Sequence, residues 1–305
     1  MSSILITGVE GFVGGHTARL AAERGLQVHG VVRAGSPPDA VRTYLSSCVS
    51  TDLAREWPPV PDTDAIVHLA GLTAVGPSFV EPQRYIGTNT AIVTQMCEAL
   101  VRQHYEGVLL FVSSGSVYAA SDQPLDEHAL LNMASPYAVS KVAGEFQVEY
   151  YRNRGLRSVV VRPFNHLGPG QSNGFLLPDL ARDVLRVEGD GPMAVGNLHT
   201  RRDYLDVRDV AAAYLALALA PSTRHTTYNV CSGQSVSGME ILDILVRQLG
   251  RAMPHLEVDE QRLRPSEVVE VVGDATRLRQ EFDWEPRISL ETSIRDFVHG
   301  AHTSH

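Results

Sequence analysis

Tyr137-Ala138-Val139-Ser140-Lys141 sets a phenol and an ammonium four residues apart. In a helix both side chains would leave one face about a turn apart, and Pro136 just before them suits a first helical turn. A tyrosine with its ordinary pKa of about 10 is a poor acid–base group at neutral pH, and a nearby positive charge favours its phenolate. The same spacing also arises in amphipathic helices whose long side chains merely snorkel. The reading sharpens at Ser113-Ser114-Gly115-Ser116-Val117-Tyr118, which ends the strand-like run before that helix. In open parallel sheets ligands sit beyond the carboxyl ends of the strands, so these hydroxyls and Tyr137 would meet in one crevice. Serine and tyrosine hydroxyls there can hydrogen-bond a carbonyl oxygen and stabilise the alkoxide formed on its reduction.

A second motif says what the crevice would hold. Thr7-Gly8-Val9-Glu10-Gly11-Phe12-Val13-Gly14 follows the first strand-like run and opens the first helix-like one. Glycines at 8, 11 and 14 allow a sharp turn, close helix–strand packing and approach of backbone amides, Phe12 and Val13 included, to a pyrophosphate. A helix N-terminus adds partial positive charge for that anion. A bound dinucleotide with an oxidised nicotinamide would further favour the Tyr137 phenolate. The second strand-like run ends Val31-Val32-Arg33, where the adenosine ribose should lie. Arg33 would pair with a 2′-phosphate, or else be a solvated surface arginine, so NADP(H) is favoured with NAD(H) open. Asp52-Leu53 could meet the adenine, unless Asp52 is only the N-cap of a short helix that follows. His68-Leu69-Ala70-Gly71 ends another run, where small residues would let the backbone approach the cofactor or, equally, serve helix–sheet packing.

These residues need a scaffold, and the pattern supplies one. Apolar runs at Ile4–Thr7, Val28–Val32, Ala65–Leu69, Val108–Ser113 and Ser158–Arg162 alternate with helical spacing over Gly14–Arg24, Thr88–His104 and Tyr137–Asn153. Strands apolar on both faces and repeated βα units predict a doubly wound parallel α/β sheet of Rossmann type. After Pro163, glycine and proline punctuate a loop-rich stretch. A helix at Val207–Leu219 and a strand at Thr227–Cys231 then return to the sheet, before a helix at Gly238–Leu249 and a Pro- and Arg-bearing tail, frayed after His299. The predicted division is a dinucleotide domain of residues 1–165 plus 207–231 and a smaller, discontinuous substrate lobe of residues 166–206 plus 232–305. Twenty-six basic against 35 acidic residues in 305 give a charge of −9, which argues against a general nucleic-acid or anionic-membrane surface. The longest uncharged stretches, such as Val210–Thr223, are too short and Ala-rich to span a bilayer. The N-terminus reads as a buried strand rather than a signal peptide, and three scattered cysteines form neither a disulfide framework nor a metal pattern. The expected setting is the cytoplasm.

Taken together, the Gly8/11/14 turn, Ser114, Tyr137-x-x-x-Lys141, Asn89 and Arg162-Pro163 resemble the extended short-chain dehydrogenase/reductases that act on nucleotide sugars, over nearly the whole chain. Arg162-Pro163-Phe164-Asn165-His166-Leu167-Gly168-Pro169-Gly170-Gln171, Gly196-Asn197-Leu198, Arg202-Asp203-Tyr204 and Leu263-Arg264-Pro265-Ser266-Glu267 narrow this. They resemble the branch of GDP-mannose 4,6-dehydratases and GDP-4-keto-6-deoxymannose reductases, the reductases more closely. The resemblance implies that Ser114 and Tyr137 bind a C4 carbonyl oxygen, that Tyr137 donates the proton, and that Lys141 tunes it and holds the nicotinamide ribose. It places Pro163 beside the nicotinamide, Thr73 and Ser116 near the sugar, and Asn165, Asn197, Arg202, Arg264 and Glu267 on the GDP moiety. For Arg202 and Arg264 a surface salt bridge is the plainer alternative. Related dehydratases carry a glutamate, often after an aspartate, where this chain has Gly115 and Ser116. A serine cannot replace that carboxylate in removing a proton, so dehydration is disfavoured and ketone reduction remains. The implied activity is NAD(P)H-dependent reduction of a GDP-4-keto-6-deoxyhexose to GDP-D-rhamnose or its 6-deoxytalose epimer; the alternatives are a nucleotide-sugar C4 epimerase retaining NAD⁺ and another nucleotide-sugar 4-ketoreductase. The family's pairing helices match Thr88–His104 and Tyr137–Asn153, which implies a homodimer.

Overall fold

The computed structural model describes residues 2–187, 191–262 and 268–302. Seven strands form one parallel sheet: β1 (Ser3–Thr7), β2 (Gln27–Val32), β3 (Ser47–Ser50), β4 (Ala65–His68), β5 (Val108–Val112), β6 (Ser158–Pro163) and, later in the chain, β10 (Thr227–Val230). Their order is β10-β6-β5-β4-β1-β2-β3, every adjacent pair parallel. The chain starts in the middle and winds outward in both directions, so the crevice lies above β1 and β4, where the order reverses. Strand β5, Val-Leu-Leu-Phe-Val, is buried at every position, as a strand covered on both faces must be. Helix α1 (Phe12–Glu23), after which comes the short α2 (Asp39–Arg42), packs with α7 (Val207–Ala218) on one face. Between them in sequence, α3 (Val75–Val80), α4 (Pro82–Arg102) and α5 (Pro136–Arg152) lie on the other side, with α4 and α5 against the sheet.

Most of the remaining elements gather around a separate apolar cluster containing Leu177, Ile241, Leu245 and Ile294, whereas the segment Thr276–Phe282 packs on β10 and α7, with Leu278 in the core of the large sheet. Strand β7 (Asn165–Leu167) starts two residues after β6 and pairs with β9 (Arg201–Asp206), which also holds β11 (Ser235–Ser237) and β13 (Glu270–Val271). A second pair joins β8 (Pro192–Val195) to β12 (His255–Val258). Helices α6 (Leu176–Arg186), α8 (Gly238–Gln248), α9 (Thr276–Phe282) and α10 (Leu290–His302) complete the chain. Buried Asp203 on β9 accepts from the amides of Ser232, Gly233 and Gly273 at 2.8–3.2 Å, so one carboxylate gathers three segments of this region.

Two expectations need correction. The stretch after Pro163 is not mainly loop: it contains α6, β7, β8 and β9. Strands as short as three residues, and one reading Arg-Arg-Asp-Tyr-Leu-Asp, carry too few apolar positions to show a period. Helix α10 continues past His299 to His302, so the expected end of order there is corrected by three residues, and residues 303–305 lie outside the described residues. Among the described residues no helix is long and apolar enough to cross a membrane.

Candidate active site

Helix α5 begins where its sequence says it should. Ser135 accepts from the Ala138 amide at 3.1 Å as N-cap, and Pro136 occupies the first turn. Tyr137 and Lys141 are then buried on one face, 7% and 6% exposed. The Lys141 Nζ donates to the Val112 carbonyl at the end of β5, 2.9 Å away, and lies 5.8 Å from the Tyr137 ring centroid and 5.6 Å from that of Phe111. Ser114 caps the 3₁₀ turn Gly115–Val117, accepting from the Ser116 amide at 3.1 Å, with its Oγ 2.9 Å from the exposed Ser116 hydroxyl. That turn contains no carboxylate. Lys141 is also the only lysine of the chain, the other 25 basic residues being arginine. That count, legible in the sequence, singles it out without any motif.

Burial sets the electrostatics. It pushes the Tyr137 phenol up to about 12, and the Ser114 hydroxyl, as hydrogen-bond partner, draws it only partly back. The Lys141 ammonium bonds the Val112 carbonyl rather than the phenol, and burial dominates at Tyr137. Burial pulls Lys141 itself down to about 8, against the upward pull of Glu145. His68, which ends β4, is driven by burial and then by the Lys141 charge down to about 3, so it is neutral. Its Nδ1 lies 2.8 Å from the Thr7 hydroxyl and its ring stacks on Phe111.

The glycine turn fits a dinucleotide. Gly8 has φ +69°, and a Cβ there would lie 3.0 Å from the Ala70 nitrogen. A Cβ on Gly14 would lie 2.3 Å from the Gly8 carbonyl oxygen, so only glycine lets the helix start this close to the strand. Gly11 is the N-cap, and no side chain caps α1, which leaves the first amides at Phe12 and Val13 for an anion. The amides of Leu69 and Ala70 both donate to the Thr7 hydroxyl at 3.2 Å, and Gly71 abuts Asn89, whose side chain exchanges hydrogen bonds with Leu72. Asn89 also donates to Ser140 at 2.9 Å, tying this loop to α5. Arg33 is exposed, and its amide donates to the Glu10 carboxylate at 2.9 Å, a neighbour the sequence reading missed. Asp52 accepts from the Ala54 amide in a turn and lies 3.5 Å from Arg55; among the described residues no helix follows before β4 for it to cap, and Leu53 is buried in the core.

Pro163 is buried at the end of β6, on the crevice side of the sheet. Thr73 and Asn165 are exposed just beyond β4 and β6. Asn197 is exposed and accepts from the His199 amide in its own turn. Arg202 is half-buried on β9 and donates to the Arg201 carbonyl, while its neighbour Arg201 pairs with Glu240 at 2.7 Å. His166 Nδ1 donates to the Phe164 carbonyl at 3.1 Å, and its ring stacks on Phe12, a packing role. Arg264 and Glu267 lie outside the described residues.

Residues 4–231 match the NAD dependent epimerase/dehydratase family. The chain belongs to that family. Its members here are NAD(P)-dependent enzymes of nucleotide sugars, and this chain is such an oxidoreductase. Among its relatives is GDP-6-deoxy-D-mannose reductase of Pseudomonas aeruginosa, 33% identical over 96% of this chain and 94% of that one. GDP-6-deoxy-D-talose 4-dehydrogenase of Aggregatibacter actinomycetemcomitans is 28% identical over 90% and 89%. The solved structure of RMD from Pseudomonas aeruginosa complexed with NADPH superposes along the full length of both chains, with TM-score 0.83 and 30% identity.

Proposed function

We propose that this protein reduces the C4 ketone of a GDP-4-keto-6-deoxyhexose, giving GDP-D-rhamnose or its 6-deoxytalose epimer, with Ser114, Tyr137 and Lys141 as its catalytic residues. The observation that carries the reading is the buried Tyr137–Lys141 face at the end of β5, beside a turn that carries hydroxyls and no carboxylate. NAD(P)H held over the Gly8–Gly14 turn would supply the hydride for C4. Ser114 and Tyr137 hold the ketone oxygen, and the phenolic proton passes to that oxygen as it becomes an alkoxide. A phenol pushed up to about 12 is protonated throughout the neutral range, and it is still a far stronger acid than the alcohol it makes. Lys141 offsets the charge of the phenolate left behind. Phe12, Val13, Leu69, Ala70, Gly71 and Pro163 would line the cofactor, and Thr73, Ser116, Asn165, Asn197, Arg202, Arg264 and Glu267 the substrate. The β6–β7 junction and the return through α7 and β10 support dividing the chain into a cofactor domain, 1–165 plus 207–231, and a substrate lobe made of the rest. With GDP-4-keto-6-deoxymannose, purified protein is expected to oxidise one reduced cofactor per ketone consumed. Turnover of the ketosugar without net oxidation would defeat this reading; a C4 epimerase would instead interconvert GDP-hexoses bearing a C4 hydroxyl, with no reduced cofactor consumed.

Arg33 supports NADP(H), since a guanidinium suits a 2′-phosphate, but Glu10 sits beside it. At ~4 Å in water a unit charge pair is worth about 1 kcal/mol, and a phosphate carries nearly two charges. Glu10→Gln is therefore expected to raise the NADPH-over-NADH ratio of kcat/KM by about five- to thirtyfold. Arg33→Ala should lower it. A homodimer through α4 and α5 is supported by Phe146 and Tyr150, one turn apart on α5 and 63% and 53% exposed. Phe146→Asp is expected to convert a dimer to monomer in sedimentation. A wild type that is already monomeric would refute the assembly.

A further inference from the structure

Glu145 is the third member of a row on α5, one turn beyond Lys141 as Lys141 is one turn beyond Tyr137. The row grips the tail of β5 in register. Lys141 binds the Val112 carbonyl, the next residue, Ser113, donates its hydroxyl to Glu145 Oε1, and the one after, Ser114, is the partner of Tyr137. From β6, Arg162 donates to both Glu145 oxygens, Nε to Oε1 at 3.0 Å and Nη2 to Oε2 at 2.6 Å, with both side chains nearly buried. Arg162 Nη1 donates to the Tyr118 hydroxyl at 3.0 Å, and that hydroxyl donates to Asn229 Oδ1 on β10 at 2.7 Å. A continuous set of paired polar groups thus ties α5 to β5, β6 and β10 directly under the Ser–Tyr–Lys face.

We propose that Glu145, clamped by Arg162, is a positioning residue of the site, fixing the β5 tail that carries Ser114 and holding Lys141 in its charged form. The proposal rests on the reductase reading for its catalytic consequence. Such a clamp is otherwise a poor use of a buried carboxylate, since an apolar pair would fill the space without paying to desolvate two charges. The groups facing Lys141 are few: Glu145 and Tyr137 from its own helix, the Phe111 ring and Val112 carbonyl from β5, and neutral His68 from β4. Glu145 is the one among them that pulls the ammonium upward.

Because Lys141 is the only lysine, growth on [ε-¹³C]lysine gives the full-length protein one labelled side-chain resonance, which reads its ionisation without any turnover. The wild-type resonance is expected to titrate with a midpoint near about 8. Glu145→Gln should lower it by about one pH unit, Glu145→Asp should leave it in place, and the alkaline limb of kcat for ketone reduction should move with it. A folded Glu145→Gln whose midpoint stays where it was overturns the proposal. So does a midpoint that moves while the kcat profile does not. If Glu145→Gln fails to fold, Glu145→Gln combined with Arg162→Gln leaves no unpaired buried charge and is expected to shift the same way, an unmoved midpoint again overturning the proposal. A wild type inert toward every ketosugar would instead defeat the reductase reading, and the resonance would still decide whether Glu145 holds the charge.

Discussion

Tyr137→Phe is expected to lower kcat by about 10²–10⁴-fold while leaving the Kd for NADPH within about twofold. The substitution removes one hydroxyl from a ring that is 7% exposed, keeps its volume and leaves Lys141 bonded to Val112. On the proposed mechanism, what is lost is the proton the alkoxide needs and one of two hydrogen bonds on the ketone oxygen. Stopped-flow oxidation of NADPH with the ketosugar separates this from a binding defect. The wild-type profile carries a sign that can be checked. Lys141 is charged below about 8 and neutral above it, so kcat should fall as pH rises through that region. Tyr137, pushed up to about 12, contributes no loss on the acid side of neutrality. A Phe variant within threefold of wild type would remove Tyr137 from the chemistry.

Gly14→Ala is expected to weaken NADPH binding by more than tenfold and to lower Tm by roughly 2–8 °C. The added carbon would stand 2.3 Å from the Gly8 carbonyl oxygen and 2.8 Å from the Val9 Cα. Both are backbone, so no rotamer change relieves the contact and the start of α1 must move away from β1. Overpacking of this kind costs about 1–3 kcal/mol, and the amides that would meet the pyrophosphate move with the helix. Gly76→Ala is the control: it also lies in a helix, has open space around its would-be Cβ, and should be neutral or slightly stabilising. Isothermal titration with NADPH and thermal melts of the two variants test the pair.

The central sheet was legible because six of its strands are apolar runs and the helices between them keep a 3.6-residue period. The site's core was legible for the same reason. Tyr137, Lys141 and Ser114 lie where a strand end and a capped helix start must meet, and Gly8, Gly11 and Gly14 sit where the first strand turns. Other parts were hidden by physics that spacing does not carry. Helix α4 begins at Pro82, six residues ahead of its expected start, because Pro and Gly in its first turns mask the period. The strands of the small sheet are polar and two to six residues long, held by partners distant in sequence such as Asp203 and Gly273. The direction of the Tyr137 shift depends on burial, which no motif states. Glu10 and Glu145 were in plain view as residues, but only the fold puts one against the Arg33 amide and the other under Lys141.

Reduction with cofactor deuterated at the transferring carbon of the nicotinamide tests the account most directly. With GDP-4-keto-6-deoxymannose, the expected product is GDP-D-rhamnose or its 6-deoxytalose epimer carrying one deuterium at C4 for each cofactor oxidised, read by NMR and mass spectrometry. Product with no deuterium at C4, or ketosugar converted while the cofactor stays reduced, would contradict a reaction in which Tyr137 protonates the oxygen of a ketone reduced at that carbon.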